Sequence, residues 1–380
     1  MNGVALRMLL GDRAKYMGLI FGIAFSTMLM SNQVSIFTGL LLRTASQILD
    51  AREADIWVMD PRVEYVDEIE PLTDTQLERV RGVSGVEWAV PLYKGLTVAH
   101  ARDGLLQQVI LLGVDDATLT GVVPHLVLGA VENLKQPDAT IIDRAGFQHM
   151  WPGQTAALGK ILELNDHRAV IVGISEASPP FTTFPVVYTK YSNAMNYIGR
   201  TRKQMSFVLV HARPGEDVHQ LAQRIASDTG LKALTWREFT WATIGYYLKR
   251  TGIPVNFGIT VALGFIVGAA VVGQTFYIFV LENLRQFGSL KAMGVANHTI
   301  LRMVLLQAVV VAGTGYSIGI GLCAGFFEIT SRVSINLRAF ELPWQVAAGT
   351  AIAVFLIIVI ASLASIRRVM VVDPAIVFRG

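Results

Sequence analysis

Four long apolar runs break up an otherwise ordinary mixture of hydrophobic and polar positions. No Asp, Glu, Lys or Arg occurs in residues 16–42, 251–281, 303–327 or 342–366, which hold 27, 31, 25 and 25 residues. A helix crossing the hydrocarbon core of a bilayer needs roughly 20 apolar residues, so each run is long enough to be a span. Between the first two runs the pattern shortens. Asp55-Ile56-Trp57-Val58-Met59 predicts a short strand, and Thr73 to Arg81 a helix with Thr73 as its N-cap. Val86–Pro91 and Gln107–Val114 predict two more strands. Ile161–Leu164 and Ala169–Ile174, joined through Asn165-Asp166, predict a hairpin, and Met205–His211 a further strand. Val218, Leu221, Ala222 and Ile225 are spaced as on an amphipathic helix over Glu216–Thr229. Thr235–Lys249 predicts a helix that runs on into the second span. The pattern therefore describes an α-helical membrane protein with four spans, and an α+β domain of residues 43–250 inserted between spans one and two. That domain reads as two βα-like halves whose boundary is not legible, and no internal repeat is visible.

Composition narrows this further. Of 380 residues 52% are hydrophobic and only 16% charged, against about 25% charged in soluble proteins. A purely soluble enzyme and a disordered chain are both excluded, and a single cysteine, Cys323 inside the third run, excludes a disulfide scaffold. The first run exceeds the roughly 7–15 residues of a secretory core and lacks an A-x-A site after it, so it reads as an anchor. Charge sets the orientation. Residues 43–250 carry 21 basic and 24 acidic side chains, whereas the rest of the chain carries 11 and 5. The excess sits at Arg7, Arg13 and Lys15 against Asp12, at Arg285, Lys291 and Arg302 against Glu282, and at Arg367, Arg368 and Arg379 against Asp373. Residues 328–341 are balanced, Glu328 and Glu341 against Arg332 and Arg338. By the positive-inside rule, residues 1–15, 282–302 and 367–380 are cytoplasmic, and 43–250 and 328–341 lie outside. Trp241, Tyr246, Tyr247 and Trp344 are placed to anchor the ends of spans at the interface.

Candidate chemistry is sparse. Gly268-Ala-Ala-Val-Val-Gly273-Gln274-Thr275 comes within one residue of a phosphate-binding loop, but Gln274 stands where the lysine must be, within a span. Gly18/Gly22, Gly264/Gly268, Gly315/Gly319 and Gly321/Gly325 are G-x-x-x-G pairs, which let helices approach closely where no hydrophobic force drives them together. Gly18, Gly22, Gly264 and Gly268 are the candidates for packing or a dimer interface. Ser31, Asn32, Gln33, Ser35, Gln274 and Gln307 are polar residues within spans; interhelical hydrogen bonding is their expected role, and Gln33 and Gln274 are the candidates to face a substrate. No span carries a charge, which weighs against an ion-coupled pump. Asp115-Asp116, Asp166-His167 and His211 read as turn and surface residues rather than catalytic or metal-binding ones. A mildly acidic domain without a basic stripe is no nucleic-acid binder. The most specific segment is Glu282-Asn-Leu-Arg285-Gln-Phe287-Gly288-Ser-Leu290-Lys291-Ala-Met293-Gly294. It predicts a short helix with Phe287, Leu290 and Met293 on one exposed face, Gln286 and Lys291 in solvent, and Gly294 ending it in a left-handed conformation. Exposed Phe, Leu and Met in so short a loop call for a protein partner.

Residues Glu282 to Gly294, above all Leu290-Lys-Ala-Met-Gly294, resemble the cytoplasmic loop of ABC-transporter permeases of the FtsX/MacB class. Asp373-Pro374-Ala375-Ile376-Val377-Phe378 resembles that class's terminal Asp-Pro motif, and the order of one span, large domain and three spans matches. Gly22-Ile-Ala-Phe25, Gly264-Phe-Ile-Val-Gly268-Ala and Pro91-Leu-Tyr93 are similar to DevC-type members. The resemblance implies a MacB-like (type VII) permease fold in a bacterial inner membrane, with the large domain in the periplasm. It implies a homodimer seated on two separate ATPase subunits, which bind the ATP and Mg; this chain itself would carry no cofactor, metal or catalytic residue, and no fused ATPase fits. Glu282, Arg285, Phe287, Leu290, Lys291, Met293 and Gly294 would form the coupling helix that docks in the ATPase. A periplasmic adaptor, an outer-membrane duct and membrane lipid would be further partners, and a lipid or other hydrophobic molecule the cargo. Two alternatives share the architecture: FtsX-like signalling to a periplasmic cell-wall enzyme, and extraction of lipid or lipoprotein from the membrane.

Overall fold

Residues 2–11, 13–101, 104–123, 125–199, 204–333 and 340–371 are described in a computed structural model. The chain begins with helices α1 (Asn2–Gly11), α2 (Arg13–Thr44) and α3 (Ser46–Asp50), then β1 (Ile56–Met59), α4 (Asp74–Arg81), β2 (Val86–Ala101), β3 (Leu106–Val114) and β4 (Leu126–Gly129). It continues through β5 (Ala139–Asp143), α5 (Arg144–Met150), β6 (Ile161–Leu164), β7 (His167–Ser175), β8 (Val186–Lys190), α6 (Tyr191–Tyr197) and β9 (Phe207–Ala212). The last elements are α7 (Val218–Thr229), β10 (Lys232–Thr235), α8 (Trp236–Arg250), α9 (Ile253–Glu282), α10 (Leu284–Ala292), α11 (Asn297–Val333) and α12 (Trp344–Val371). Two units result: an inserted domain, Leu40–Thr251, and a helical unit, Met1–Gly39 with Gly252–Gly380. Asp12, Arg338, Arg379 and the Asp-Pro motif at 373–378 lie outside the described residues, as do the side chains of Lys15, Arg332, Arg367 and Arg368.

In the inserted domain the two halves share a strand. The sheet order β10-β1-β9-β2 is antiparallel, and β2 then continues into β3-β8-β5-β7-β4, where β3 pairs β8 and β5 pairs β7 in parallel; β6 bridges β2 and β7. β2 pairs with β9 up to Leu92 and with β3 from Tyr93 onward. No linker separates the halves because their boundary falls inside one strand. The strand expected to end at Pro91 runs through it for a geometric reason. The Leu92 carbonyl accepts from the Ser206 N–H at 2.9 Å, so the donorless Pro91 nitrogen points the other way, where β3 pairing has not yet begun.

Both faces of the first sheet are covered. Ile56 and Val58 pack with Leu77 and Val80 of α4 and with Leu221 and Ile225 of α7. Trp57 and Met59 point oppositely, toward Phe207 and the Phe239 of α8. Trp57, Phe207 and Phe239 form a ring cluster with centroids 5.3–5.8 Å apart. Local signals act as expected. Thr73 and Gln76 form a capping box, as do Thr235 and Glu238. Asn165 and Asp166, at φ +49° and +64°, make the two-residue turn between β6 and β7, and both positive values suit the tight turn that matches strand twist.

The helix expected to run from Thr235 into the second span is two helices. α8 stops at Arg250, Thr251 is extended, and α9 starts at Ile253 with Pro254 in its first turn. Proline lacks the N–H for a continuous helix and its ring collides with the carbonyl four residues back, here that of Arg250. Of the expected interface aromatics, Trp241 and Trp344 are 69% and 75% exposed. Tyr247 is instead buried in the inserted domain, its hydroxyl donating to Asp67 at 3.3 Å, and Tyr246 stacks on Tyr65 at 4.0 Å. These two rings close the domain rather than anchor it.

Among the described residues four helices are long and apolar enough to cross a membrane: Tyr16–Thr44, Ile253–Glu282, Asn297–Ser331 and Trp344–Ser362. α11 begins at Asn297, within the segment 282–302 expected to be a loop, which leaves α10 as the compact connection between α9 and α11.

Candidate functional site

The connection after the second span folds as the sequence demands. α9 ends at Asn283, whose side-chain amide donates to the Phe279 carbonyl at 2.8 Å while its own carbonyl accepts from the Phe287 N–H at 3.0 Å. α10 follows and ends on a two-bond glycine cap. The Gly294 N–H donates to the Lys291 carbonyl and the Val295 N–H to the Leu290 carbonyl, each at 3.0 Å, with Gly294 at φ +86°. Only glycine takes that conformation at little cost, which is why the helix stops there.

The three apolar residues expected on one exposed face are distributed around the helix. Phe287 is 1% exposed, Leu290 is half-buried and Met293 is 72% exposed. A spacing of three falls short of the 3.6-residue turn by about 60° each time, so Phe287 and Met293 end up roughly 120° apart. Phe287 is thus an anchor, packed in one cluster with Phe279 and Val280 of α9 and with Ile300 and Val304 of α11. The outward stripe is Arg285, Ser289 and Met293, one turn apart each, flanked by exposed Gln286 and Ala292. Glu282 is exposed, and Lys291 is half-buried rather than fully solvated.

One further element at this end of the unit shows in the sequence reading only as a basic tail. Residues 2–11 form α1, with Ala5 and Leu9 fully buried, and Leu9 joins the Phe287 cluster. The Gln307 side-chain amide donates to the Ala5 carbonyl at 2.7 Å, clamping α1 to α11. Apolar Ala5, Met8 and Leu9 at helical spacing are the signal that could have found it.

The glycines sort themselves by neighbour. A methyl group on Gly22 would lie 2.8 Å from Val271 of α9, and one on Gly264 2.6 Å from Leu29 of α2; Gly268 lies against Ser26. These three sit where α2 and α9 approach closely, whereas Gly18 has only Thr275 at 3.9 Å. Gly315 and Gly319 give the same close approach to Ile23, Ala24 and Thr27 on another side of α2. Gly321 and Gly325 have open space. Of the polar residues in spans, Ser31 donates to Thr350 of α12 at 3.2 Å. Gln33 is half-buried on α2 and Gln274 exposed on α9, with no hydrogen bond between them.

In the inserted domain Asp115 accepts from the N–H groups of Ala117 and Thr118, and Asp116 from that of Ser192. His211 faces Asp55 at 2.6 Å and stacks on Trp88. Each acid is spent on a turn, a cap or a pair, and no group of three metal-ligand side chains occurs among the described residues.

The chain matches two family models: a MacB-like periplasmic core domain over residues 17–228, and an FtsX-like permease C-terminal domain over residues 258–374. It is similar to an uncharacterized ABC transporter permease of Mycobacterium tuberculosis, 25% identical over 322 residues, which cover 82% of this chain and 80% of that protein. Another uncharacterized ABC transporter permease, from Mycobacterium bovis, is 40% identical over 127 residues, 32% of this chain; the match spans only 33% of that relative's length. The macrolide export ATP-binding/permease protein MacB of Salmonella typhi is 20% identical over 224 residues, 57% of this chain and 33% of that protein. With both halves of the chain matched, in the order that one span, an inserted α+β domain and three further helices require, the protein belongs to the MacB/FtsX class of ABC transporter permeases.

Proposed function

We propose that this chain is the permease subunit of an ABC exporter whose motor is a separate ATPase, and that α10 is the handle on which that motor pulls. The observation that carries this reading is the division of α10 into two faces, one anchored and one presented. Arg285, Ser289 and Met293 face outward, while Phe287 is locked among side chains of α9 and α11. A force on the outward stripe passes through Phe287 into both long helices, because close-packed side chains do not yield locally. ATP and Mg belong to the partner; this chain supplies only the mechanical path, and the inserted domain moves in response. The basic groups around α10 support a cytoplasmic location for it, with the inserted domain on the far side. Two copies of the chain would then share one pair of ATPases, with an adaptor, an outer-membrane duct and a hydrophobic or lipid cargo on the far side. Likeness supports the cargo class: the Salmonella typhi relative is named for macrolide export.

The test is ATP hydrolysis by the purified partner, reconstituted with the full permease in proteoliposomes. Met293→Asp, at an exposed position, should abolish stimulation of the ATPase while leaving insertion and helicity unchanged. Stimulation equal to wild type would sink the assignment of α10.

A further inference from the structure

The inserted domain holds a cleft of about 500 Å³, lined by residues remote in sequence from α10. α3 forms one wall: it follows α2 after the single residue Ala45 and presents Ile48, Leu49 and Asp50. The Asp50 carboxylate is fixed in place by Ser178, whose N–H donates to one oxygen at 2.9 Å and whose hydroxyl donates to the other at 2.7 Å. Burial pushes the Asp50 carboxyl above the usual range, and the Ser178 bonds and nearby Arg52 pull it back. Arg52 lines the same cleft and is exposed. Trp236 also lines the cleft and is still 37% exposed, although the Arg237 guanidinium sits over its ring at 5.1 Å.

A carboxylate serving only to tie down Ser178 would not need an exposed indole and a guanidinium beside it. Ligand sites of roughly 300–1,000 Å³ combine apolar walls with a few converging polar groups, and this cleft has that make-up. Its charges are opposite and two residues apart. An ammonium suits Asp50 and the face of an indole, and a phosphate suits a guanidinium. Apolar Ile48 and Leu49 beside them suit hydrocarbon. Asp50 also lies six residues beyond Thr44, the end of an apolar helix able to cross a membrane, and six residues reach at most roughly 20 Å. With Tyr16–Thr44 across a bilayer, lipid head groups would lie within that reach.

We propose that this cleft binds the zwitterionic head of an amphiphile, its ammonium at Asp50 and its phosphate at Arg52, with the start of the hydrocarbon tail against Leu49 and Trp236. The amphiphile is either a phospholipid of the surrounding bilayer or a free single-chain molecule of the same head-group chemistry. The proposal does not rest on the role given to α10, and its readout is binding rather than ATP hydrolysis, so the two fail separately.

The experiment labels the full chain with fluorotryptophan, assigns the Trp236 fluorine resonance with Trp236→Phe, and places the protein in phosphatidylglycerol nanodiscs. Lysophosphatidylethanolamine should shift that resonance saturably. Lysophosphatidylglycerol, which keeps the phosphate and chain but lacks the ammonium, should leave it in place. A shift already present in phosphatidylethanolamine nanodiscs identifies the bilayer as the source; a shift only on adding the lyso compound identifies a free amphiphile. Asp50→Asn should weaken the titration roughly tenfold or more. Equal shifts from both head groups, or none in any setting, would overturn the site. The head-group comparison is made on the unaltered protein, so a folding defect in Asp50→Asn leaves its outcome unaffected.

Discussion

The inserted domain is held together by bulk, with Trp57, Phe207 and Phe239 buried in contact between sheet and helix. The helical unit is held together by absence of bulk, with Gly22, Gly264, Gly268, Gly315 and Gly319 at the places where helices meet. The same chain solves one problem in two ways because the competing solvent differs. Water penalises every exposed aromatic, so burying large rings stabilises the domain. Hydrocarbon offers an apolar helix no such gain, and what remains is close approach, van der Waals contact and interhelical hydrogen bonds such as Ser31 to Thr350.

The sharpest way to break that contrast is to remove bulk where bulk is the mechanism. Trp57→Ala should destabilise the inserted domain by about 3–5 kcal/mol, the range for truncating a fully buried large aromatic. Thermal unfolding of the full chain in detergent, followed by near-ultraviolet circular dichroism, should show the domain's transition lowered with the far-ultraviolet helical signal of the spans retained.

A second, smaller effect tests a carboxylate in that core, a feature the charge-free runs within the spans lack. Asp143 is 3% exposed, and its oxygens accept from the Val186 N–H at 2.7 Å and the Gly146 N–H at 3.1 Å, joining the start of β8 to the cap of α5. Burial pushes its pKa up to about 6, with those hydrogen bonds opposing the rise. A raised carboxyl pKa means the folded state holds the proton more tightly than the unfolded chain. Its contribution is therefore fully present below pH 3.8 and is lost as pH rises through about 6. At 1.36 kcal/mol per pH unit the swing is roughly 3 kcal/mol. Asp143→Asn should flatten the fall in melting temperature over this window relative to wild type; parallel profiles would refute the assignment.

The third test adds bulk where its absence is the mechanism. Gly319 and Gly321 lie two residues apart on α11, on different faces. A methyl group on Gly319 would meet the Ala24 backbone carbonyl and Thr27 Cβ, whereas one on Gly321 meets open space. Gly319→Ala should cost about 1–3 kcal/mol through overpacking against backbone that cannot move aside. Gly321→Ala should be neutral or slightly stabilising. Unfolding in mixed micelles of rising dodecyl sulfate content measures both, and equal sensitivity would remove the case for close helix contact at Gly319.

Much of this is legible locally. Asn165-Asp166 marks its turn, Thr73 and Thr235 mark helix starts, and Gly294 marks the end of α10, because each acts through its own backbone or that of residues two to four away. Pro91 misleads because the harm of a missing N–H depends on which neighbour that edge faces, and only the pairing of β2 with β9 and β3 settles it. Phe287 misleads in the same way. A short loop predicts exposure, but the side chain finds a pocket made by α1, α9 and α11, three elements far apart in sequence.

Charge-free run lengths, basic loops and turn chemistry are enough to define four spans, their order and an α+β insertion, since each is a property of a window of neighbouring residues. They do not say that one strand serves both halves of the sheet, that the N-terminal helix is clamped by Gln307, or which side of α10 is offered outward. Those outcomes depend on contacts between residues that are distant along the chain, and such contacts exist only once the chain has folded.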